Sequence, residues 1–307
     1  MRGLVKAAVI GVGALGSCIA YEIANRGLVD ELLLVDIVKE LAEGQATDIE
    51  QALAFRNNTK VYTGDYGDTF DSDLIVIAAG KARTPGMKSR LQLFEVNAQI
   101  VKDVATRLKG ARSDCVFVTL TNPLDLINYL VWRTLKRDRR YIIGSSGQLD
   151  SARFRSVLAK RFSTPVLDVE AYVIGEHGDR QVPLFEMVRV RGELRTFSEE
   201  DKRAILAELR DYALRVVQKK GATVYAPANN TAEMVEAILK DRNRLVCCSL
   251  VLQGEYGLSE VSIGVPVILG REGAKRVVEW ELTPAEREAL HSGAQELKRA
   301  WGQLKET

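Results

Sequence analysis

The feature that most restricts the fold of this chain is a glycine-rich turn between an apolar run and a helical pattern. Residues 4–10 form the apolar run, residues 11–16 (GVGALG) form the turn, and the helical pattern continues to about residue 26. In such a strand–turn–helix unit, Gly11 permits the tight turn, Gly13 lets a ligand approach the backbone, and Gly16 lets the helix pack closely on the strand. Free N–H groups at the helix N-terminus suit a pyrophosphate. The turn therefore predicts a dinucleotide site.

The rest of the first half repeats the same alternation. Short apolar runs occur at residues 31–35, 74–79, 115–120 and 141–143, and a helical pattern covers about residues 39–55. Near-continuous apolar strands separated by helices are typical of a parallel sheet covered on both faces. We expect an N-terminal Rossmann-type domain, a doubly wound α/β fold, over residues 1–144.

The second half has a different pattern, which predicts an α+β catalytic domain over residues 145–307. Its expected elements are a helix at 149–162, a strand at 166–174, a hairpin at 187–190 and 194–196, a helix at 198–220, a helix after Pro227, strands at 245–252 and 261–269, and a terminal helix opened by Thr283-Pro284. Strands followed by helices, with antiparallel hairpins between them, favour a separate layer rather than more βαβ units.

Asp36 narrows the choice of dinucleotide. It lies 20 residues beyond Gly16, at the end of the second apolar run. A carboxylate at this position accepts hydrogen bonds from the adenosine ribose hydroxyls and repels a 2′-phosphate, so NAD is favoured over NADP. The alternative is a glycine-rich connection that binds nothing.

Hydride transfer between a nicotinamide dinucleotide and an alcohol or carbonyl group also moves a proton, and two histidines are available for that step. Histidine titrates near neutrality and suits this step. His291 lies on the polar side of the terminal helix and is expected to be a solvated surface residue, whereas His177 lies in a glycine-flanked turn after a strand. Asp150 could orient the ring of His177, and Arg153, one helical turn later, could bind a substrate carboxylate. Seen alone, Asp150 and Arg153 could equally form an intrahelical surface pair.

Composition excludes several other classes of protein. The chain has 307 residues and a formal net charge of +2, which argues against a dedicated nucleic-acid surface. The basic run at 133–140 is expected to be a solvated helix end. The four cysteines lack metal-site spacing and are expected to be reduced, as in a cytoplasmic protein, and no apolar run is long enough to span a membrane.

The chain resembles the lactate/malate dehydrogenases over nearly its whole length. The matching motifs, in order, are GVGALG (11–16), LLLVDI (32–37), AAGKARTPG (78–86), SRLQLFEVN (89–97), TNPLD (121–125), LDSARF (149–154), IGEHGD (174–179), KGAT (220–223), QGEYG (253–257) and IGVPVILG (263–270). The combination of IGEHGD with LDSARF is the most specific of these.

This resemblance implies roles for individual residues. His177 is the implied acid/base, Asp150 its orienting partner, and Arg153 the residue that binds the substrate C1 carboxylate. Arg90 is the implied mobile-loop arginine, which polarises the reacting carbonyl oxygen, and Asn122 lies near nicotinamide and substrate. The resemblance further implies that Asn97 binds the cofactor and that Thr223 and Pro227 line the nicotinamide and substrate pocket, with Thr223 binding the substrate.

Arg83 separates malate from lactate enzymes within this family. The resemblance places it against the far end of the substrate, where malate dehydrogenases have arginine and lactate dehydrogenases have glutamine. Oxaloacetate carries a second carboxylate that would be costly to bury without a partner. We therefore expect an NAD-dependent malate dehydrogenase. The alternatives are a lactate or broad 2-keto acid dehydrogenase and, in another class, a non-catalytic NAD-binding sensor.

One departure from the family pattern lies in the same segment. Three residues separate Gly86 from Arg90, where family members usually have two. The spacing from Arg90 to Asn97 is kept, so Arg90 is still the expected polarising residue. The resemblance also implies a homodimer or homotetramer with subunit contacts through helices such as residues 41–55.

Overall fold

The computed structural model describes residues 3–81 and 90–305. The helices are α1 (Ala14–Asn25), α2 (Lys39–Leu53), α3 (Arg90–Arg107), α4 (Leu124–Leu135), α5 (Gly147–Arg161), α6 (Glu199–Lys220), α7 (Tyr225–Leu239) and α8 (Pro284–Lys305). The strands are β1 (Lys6–Ile10), β2 (Glu31–Val35), β3 (Lys60–Thr63), β4 (Leu74–Ile77), β5 (Val116–Thr119), β6 (Ile142–Gly144), β7 (Val169–Glu170), β8 (Val173–Gly175), β9 (Gln181–Pro183), β10 (Arg189–Val190), β11 (Glu193–Leu194), β12 (Arg244–Gln253), β13 (Ser259–Gly270) and β14 (Gly273–Val277).

The first half is a parallel sheet with strand order β3-β2-β1-β4-β5-β6. In its register, Ala8 of β1 lies opposite Leu33 of β2 and Ile75 of β4. All three residues are fully buried because helices cover both faces of the sheet. The predicted doubly wound α/β fold is confirmed. Its strand order reverses beside β1, which places the carboxyl end of β1 at the usual ligand crevice.

The second half continues the same sheet with antiparallel strands. Gly144 of β6 pairs with Ser249 of β12, and the sheet then runs through β13 and β8 to β9, with β14 also paired to β13. A separate small sheet consists of β7, β10 and β11. This half has the expected α+β character.

The stretch 166–174, predicted as a single strand, passes from the small sheet to the large one. The stretch 166–174 contains a short helical turn and then two strands, β7 in the small sheet and β8 in the large one. Because the two strands pair in different sheets, they cannot be continuous. Helix α7 begins at Tyr225, so Pro227 lies in its first turn, where a missing N–H costs nothing.

The larger hydrophobic core crosses the predicted domain boundary. Ile127 and Val131 of α4 belong to the same buried cluster as Val246 of β12 and Ile263 of β13. The division at residue 144 stays a prediction. Among the described residues, no helix combines the length and the apolar character that a membrane crossing needs.

Candidate active site

The glycine turn between β1 and α1 offers unfilled backbone donors. Gly13 is the N-cap of α1, and neither a side-chain cap nor an acidic residue in the first turn occupies this end of the helix. Gly13 and Ala14 are exposed, and a Cβ built on Gly13 has no atom within 4 Å. The helix N-terminus is therefore open to an anion such as a pyrophosphate.

Close packing holds the other two glycines of the turn. A Cβ on Gly16 would lie 1.8 Å from the carbonyl oxygen of Gly11. Gly11 has φ of +86°, and its own Cβ would lie 2.5 Å from the Cα of Ala79 on the neighbouring chain segment. These positions fit the turn only without a side chain.

The carboxylate of Asp36 connects β2 to the glycine turn. One oxygen accepts a hydrogen bond from the backbone N–H of Val12 at 2.8 Å, and the other accepts from the N–H of Val38 at 3.0 Å. Asp36 is half-buried, and each carboxylate oxygen keeps further acceptor capacity. The residue thus stabilises the turn and remains available to ribose hydroxyls.

Asn97 joins two segments at the carboxyl ends of β4 and β5. It is fully buried, its Oδ1 accepts from the backbone N–H of Lys81 at 2.7 Å, and its Nδ2 donates to the carbonyl oxygens of Lys81 and Asn122. Both N–H donors are thereby used. Asn122 is exposed, and the peptide bond that joins it to Pro123 is cis. This arrangement makes Asn97 a support for the position of Asn122.

His177 and Asp150 meet although they are distant in the chain. Nδ1–H of His177 donates to Oδ2 of Asp150 at 2.7 Å, and the two side chains are 16% and 6% exposed. This bond fixes the ring tautomer and leaves Nε2 for proton exchange with a ligand. Nη1 of Arg153 donates to the other oxygen of Asp150 at 3.2 Å. Asp150 therefore makes both contacts that the sequence left as alternatives.

The electrostatics favour the protonated form of His177. Burial lowers the pKa of the imidazole, but the charge and hydrogen bond of Asp150, with the charge of Asp125, outweigh burial, so the pKa of His177 is raised above its ordinary value of 6.5. A raised pKa keeps a proton donor available near neutral pH.

Asp125 is a site residue that the sequence reasoning did not identify. Its carboxylate is 2% exposed and accepts from the backbone N–H of His177 at 2.7 Å and from the hydroxyl of Ser249 at 2.5 Å. Burial raises the pKa of Asp125 to about 7 although both hydrogen bonds lower it. From sequence, an acidic residue in the first turn of α4 is explained by the helix dipole alone.

The remaining predicted residues lie around this cluster or outside the description. Thr223 is half-buried in the connection between α6 and α7, and Pro227 is buried in α7. Arg83 lies outside the described residues, as do Met87 to Ser89. Arg90 is the first residue of α3, but its side chain lies outside the description. The roles predicted for all of these residues stay predictions.

One prediction about histidine is wrong. His291 is half-buried rather than solvated, and its Nε2 lies 2.9 Å from the carbonyl oxygen of Tyr256. Tyr256 has φ of +55° in the turn after β12, and this turn brings its carbonyl to α8. Helical periodicity places a residue on a face but does not show which loop packs against that face.

Two family models together match almost the whole chain. The model described as lactate/malate dehydrogenase, NAD binding domain, matches residues 5–144, and the model described as lactate/malate dehydrogenase, alpha/beta C-terminal domain, matches residues 147–307.

Individual malate and lactate dehydrogenases are similar to this chain over nearly its whole length. Malate dehydrogenase of Halobacterium salinarum is 45% identical over 304 residues, covering 98% of this chain and 100% of its own. L-lactate dehydrogenase of Priestia megaterium is 36% identical, covering 95% and 94% of the two chains. The ligand-bound crystal structure of a minor L-lactate dehydrogenase from Enterococcus mundtii superposes with a TM-score of 0.93 at 29% identity, covering 98% of this chain and 99% of that one.

Proposed function

Because the chain belongs to the lactate/malate dehydrogenase family and is an NAD-dependent dehydrogenase, we propose that it is a malate dehydrogenase, which interconverts (S)-malate and oxaloacetate. The observation that carries the choice of substrate is Arg83 in the AAGKARTPG motif. Its guanidinium pairs with the second carboxylate of the substrate, which would be costly to bury alone. The malate dehydrogenase of Halobacterium salinarum, at 45% identity, supports the same choice.

The cofactor site follows from the glycine turn. Gly13 and the open N-terminus of α1 hold the pyrophosphate, Gly11 and Gly16 give the turn its shape, and Asp36 binds the adenosine ribose. Asn97 supports Asn122 beside the nicotinamide. When bound, NADH supplies the hydride that reduces the substrate carbonyl carbon.

The chemistry of the chain's own residues is proton transfer and orientation. In oxaloacetate reduction, Nε2–H of His177 donates its proton to the carbonyl oxygen as that oxygen becomes a hydroxyl. In malate oxidation, neutral Nε2 takes the proton back. Asp150 holds Nδ1–H and stabilises the imidazolium at 2.7 Å. This pairing is unnecessary in a non-catalytic NAD-binding sensor, so it favours an enzyme.

Arginine side chains orient the substrate. Arg153 binds the C1 carboxylate, because it lies one helical turn from Asp150 and its guanidinium can make two parallel hydrogen bonds. Arg90 polarises the carbonyl oxygen that His177 protonates. Asn122 and Thr223 line the pocket around the substrate.

The experiment that tests this proposal is a matrix of steady-state rates with oxaloacetate or pyruvate and NADH or NADPH. We expect a preference for oxaloacetate with NADH. In Arg83→Gln, kcat/KM for oxaloacetate should fall about 10²–10³-fold because one carboxylate loses its partner. Lys81→Gln, which removes an exposed positive charge two residues away, is the matched control and should keep the preference.

Two outcomes would contradict the proposal. A clear preference of the unchanged protein for pyruvate would identify a lactate or broad 2-keto acid dehydrogenase instead. An unchanged preference in Arg83→Gln would mean that another residue selects the substrate.

We further propose a cytoplasmic homodimer or homotetramer with helix α2 in a subunit contact. Phe55, two residues after this helix, is fully exposed, and Leu41 on the helix is 39% exposed, so apolar surface is available there. The four cysteines are unpaired, as expected in a reducing compartment. Sedimentation equilibrium tests the assembly, and a monomer at micromolar concentration would contradict it.

A further inference from the structure

Asp125 is a buried carboxylate that the proposed reaction does not use directly. It lies in the first turn of α4, and its two oxygens accept from different elements: the backbone N–H of His177 and the hydroxyl of Ser249 on β12. Among the Lys and Arg side chains that the structure describes, none forms an ion pair with it. The charge of His177 favours the ionised carboxylate, but burial opposes it more strongly, so the retention of Asp125 requires a reason.

A chain of buried polar groups holds this carboxylate in place. The hydroxyl of Ser249 lies 2.9 Å from that of Ser262 on β13, and Nδ2 of Asn128 donates to Ser262 at 2.8 Å. Oδ1 of Asn128 in turn accepts from the hydroxyl of Thr119 on β5 at 2.8 Å. All of these residues are buried, and hydrogen-bonded networks of this kind restrict their members to one arrangement.

The network lies where the two kinds of strand pairing meet. Ser249 pairs with Gly144, the contact that joins the parallel strands to the antiparallel ones. Helix α4 carries Asp125 at the same place, three residues after Asn122, whose carbonyl oxygen is held by Asn97. The short segment 122–125 therefore contacts Asn97 of the first half through Asn122 and the loop of His177 through Asp125.

We propose that Asp125 is a positioning residue for the dehydrogenase reaction, whose carboxylate fixes the backbone of His177 relative to the Asn122 end of helix α4. Asp150 fixes the direction of the imidazole ring, and Asp125 fixes the place from which the ring projects. A displacement of about 1 Å in a reacting group can cost about 10²-fold in rate. The inference rests on the proposed function, because it takes His177 as the proton donor.

Two substitutions at this position separate the hydrogen bond from the charge. In Asp125→Asn, the amide oxygen can still accept from His177 N–H, while Nδ2 donates to Ser249, whose proton can turn to Ser262. In Asp125→Ala, the N–H of His177 loses its acceptor. We expect kcat of Asp125→Ala to fall about 10²-fold, with the Kd for NADH unchanged, and most of that loss to be recovered in Asp125→Asn.

A matched control accounts for the general cost of a lost buried hydrogen bond. The buried hydroxyl of Thr59 donates to the carbonyl oxygen of Val29 at 2.7 Å, in the first half and away from His177. Thr59→Val should lower the melting temperature and leave kcat unchanged. If Asp125→Ala does not fold, Ser249→Ala removes the second bond to the carboxylate and should lower kcat by a smaller factor.

Amide hydrogen exchange of the peptide around His177 gives a readout that needs no substrate. Faster exchange is expected in Asp125→Ala and protection close to the unchanged protein in Asp125→Asn. Unchanged exchange or unchanged kcat in Asp125→Ala would overturn the inference, and so would equal losses in the two variants. If the unchanged protein reduces pyruvate but not oxaloacetate, malate is rejected as the substrate. The ratio of kcat in each variant to kcat in the unchanged protein, measured with pyruvate, would then still test Asp125.

Discussion

The glycine turn and the histidine loop are formed in opposite ways. The turn consists of consecutive residues, 11–16, and offers backbone N–H groups at the end of α1. The loop at His177 depends on side chains from α4 and α5, which lie 52 and 27 residues away in the chain. The first region is a local shape, and the second is an assembly of distant groups.

The two regions therefore tolerate different changes. At Gly16 the limit is volume, since a Cβ would lie 1.8 Å from the carbonyl oxygen of Gly11. At His177 the limit is pairing, since Asp150 and Asp125 are buried acceptors whose loss leaves a donor unsatisfied. An added methyl should damage the turn most, and a lost acceptor should damage the loop most.

The largest expected effect comes from Asp150→Asn in the pairing-limited region. We expect kcat to fall about 10²–10⁴-fold because Asn has one oxygen for two donors, Nδ1–H of His177 and Nη1 of Arg153, and because the imidazolium loses a nearby negative charge. The pKa of His177 should also fall, since the charge and hydrogen bond of Asp150 are the largest causes that raise it against burial. The protonated form needed for oxaloacetate reduction would then disappear at a lower pH than in the unchanged protein.

The measurement is kcat/KM for oxaloacetate reduction as a function of pH, with the Kd for NADH as the control. The falling limb of the profile should move to lower pH in Asp150→Asn, and the NADH affinity should stay constant. An unmoved limb would mean that Asp150 does not set the protonation of His177.

The volume-limited region gives the next effect through a pair of glycine substitutions. Gly16→Ala should weaken NADH binding by about 10²-fold and lower the melting temperature, because the turn must open to admit the methyl group. Gly13→Ala should weaken NADH binding without changing the melting temperature, because its Cβ meets no protein atom. Isothermal titration and thermal melts separate the two results. Equal melting losses would show that the turn is limited by more than local volume.

The same contrast explains what the sequence could predict. The glycine turn, Asp36 and the alternation of strands and helices in the first half follow from local patterns, because each depends on neighbours in the chain. The meeting of His177 with Asp150 could be inferred only from residue types and family resemblance. Asp125 could not be identified, since its partner lies 52 residues away and its position has a sufficient local explanation in the helix dipole.

Arg139 illustrates the same limit at the boundary between the two halves. It lies in the basic run that was expected to be solvated, yet its side chain is only 20% exposed. Its Nη1 donates to the carbonyl oxygen of Val251, and its guanidinium pairs with Glu255 in the turn after β12, 116 residues away. A charge run predicts surface location in general, but it does not show which member is taken up by a distant carboxylate.

Glu255→Gln gives the smallest effect and tests whether the two regions unfold together. Burial raises the pKa of Glu255, but the hydrogen bond and charge of Arg139 and the hydrogen bonds from the backbone N–H groups together lower it from 4.5 to about 2. The contribution of Glu255 to the free energy of unfolding is therefore present above pH 4.5 and is lost as the pH falls through about 2. We expect a loss of about 2 kcal/mol at pH 7 that vanishes near pH 2, reduced from the full shift because both side chains are partly exposed.

Denaturant unfolding at several pH values measures this loss of stability. Asp211→Asn is the control: both side chains of its pair with Arg215 are about 60% exposed, so the pair should contribute under about 0.5 kcal/mol. Because β6 pairs with β12 within one sheet and one core crosses residue 144, both halves should unfold in a single transition, and Glu255→Gln should shift that transition to lower denaturant concentration. Two separated transitions in Glu255→Gln would show instead that the glycine turn and the histidine loop belong to units with independent stability. The boundary contact would then hold the two regions in register rather than contribute to a common core.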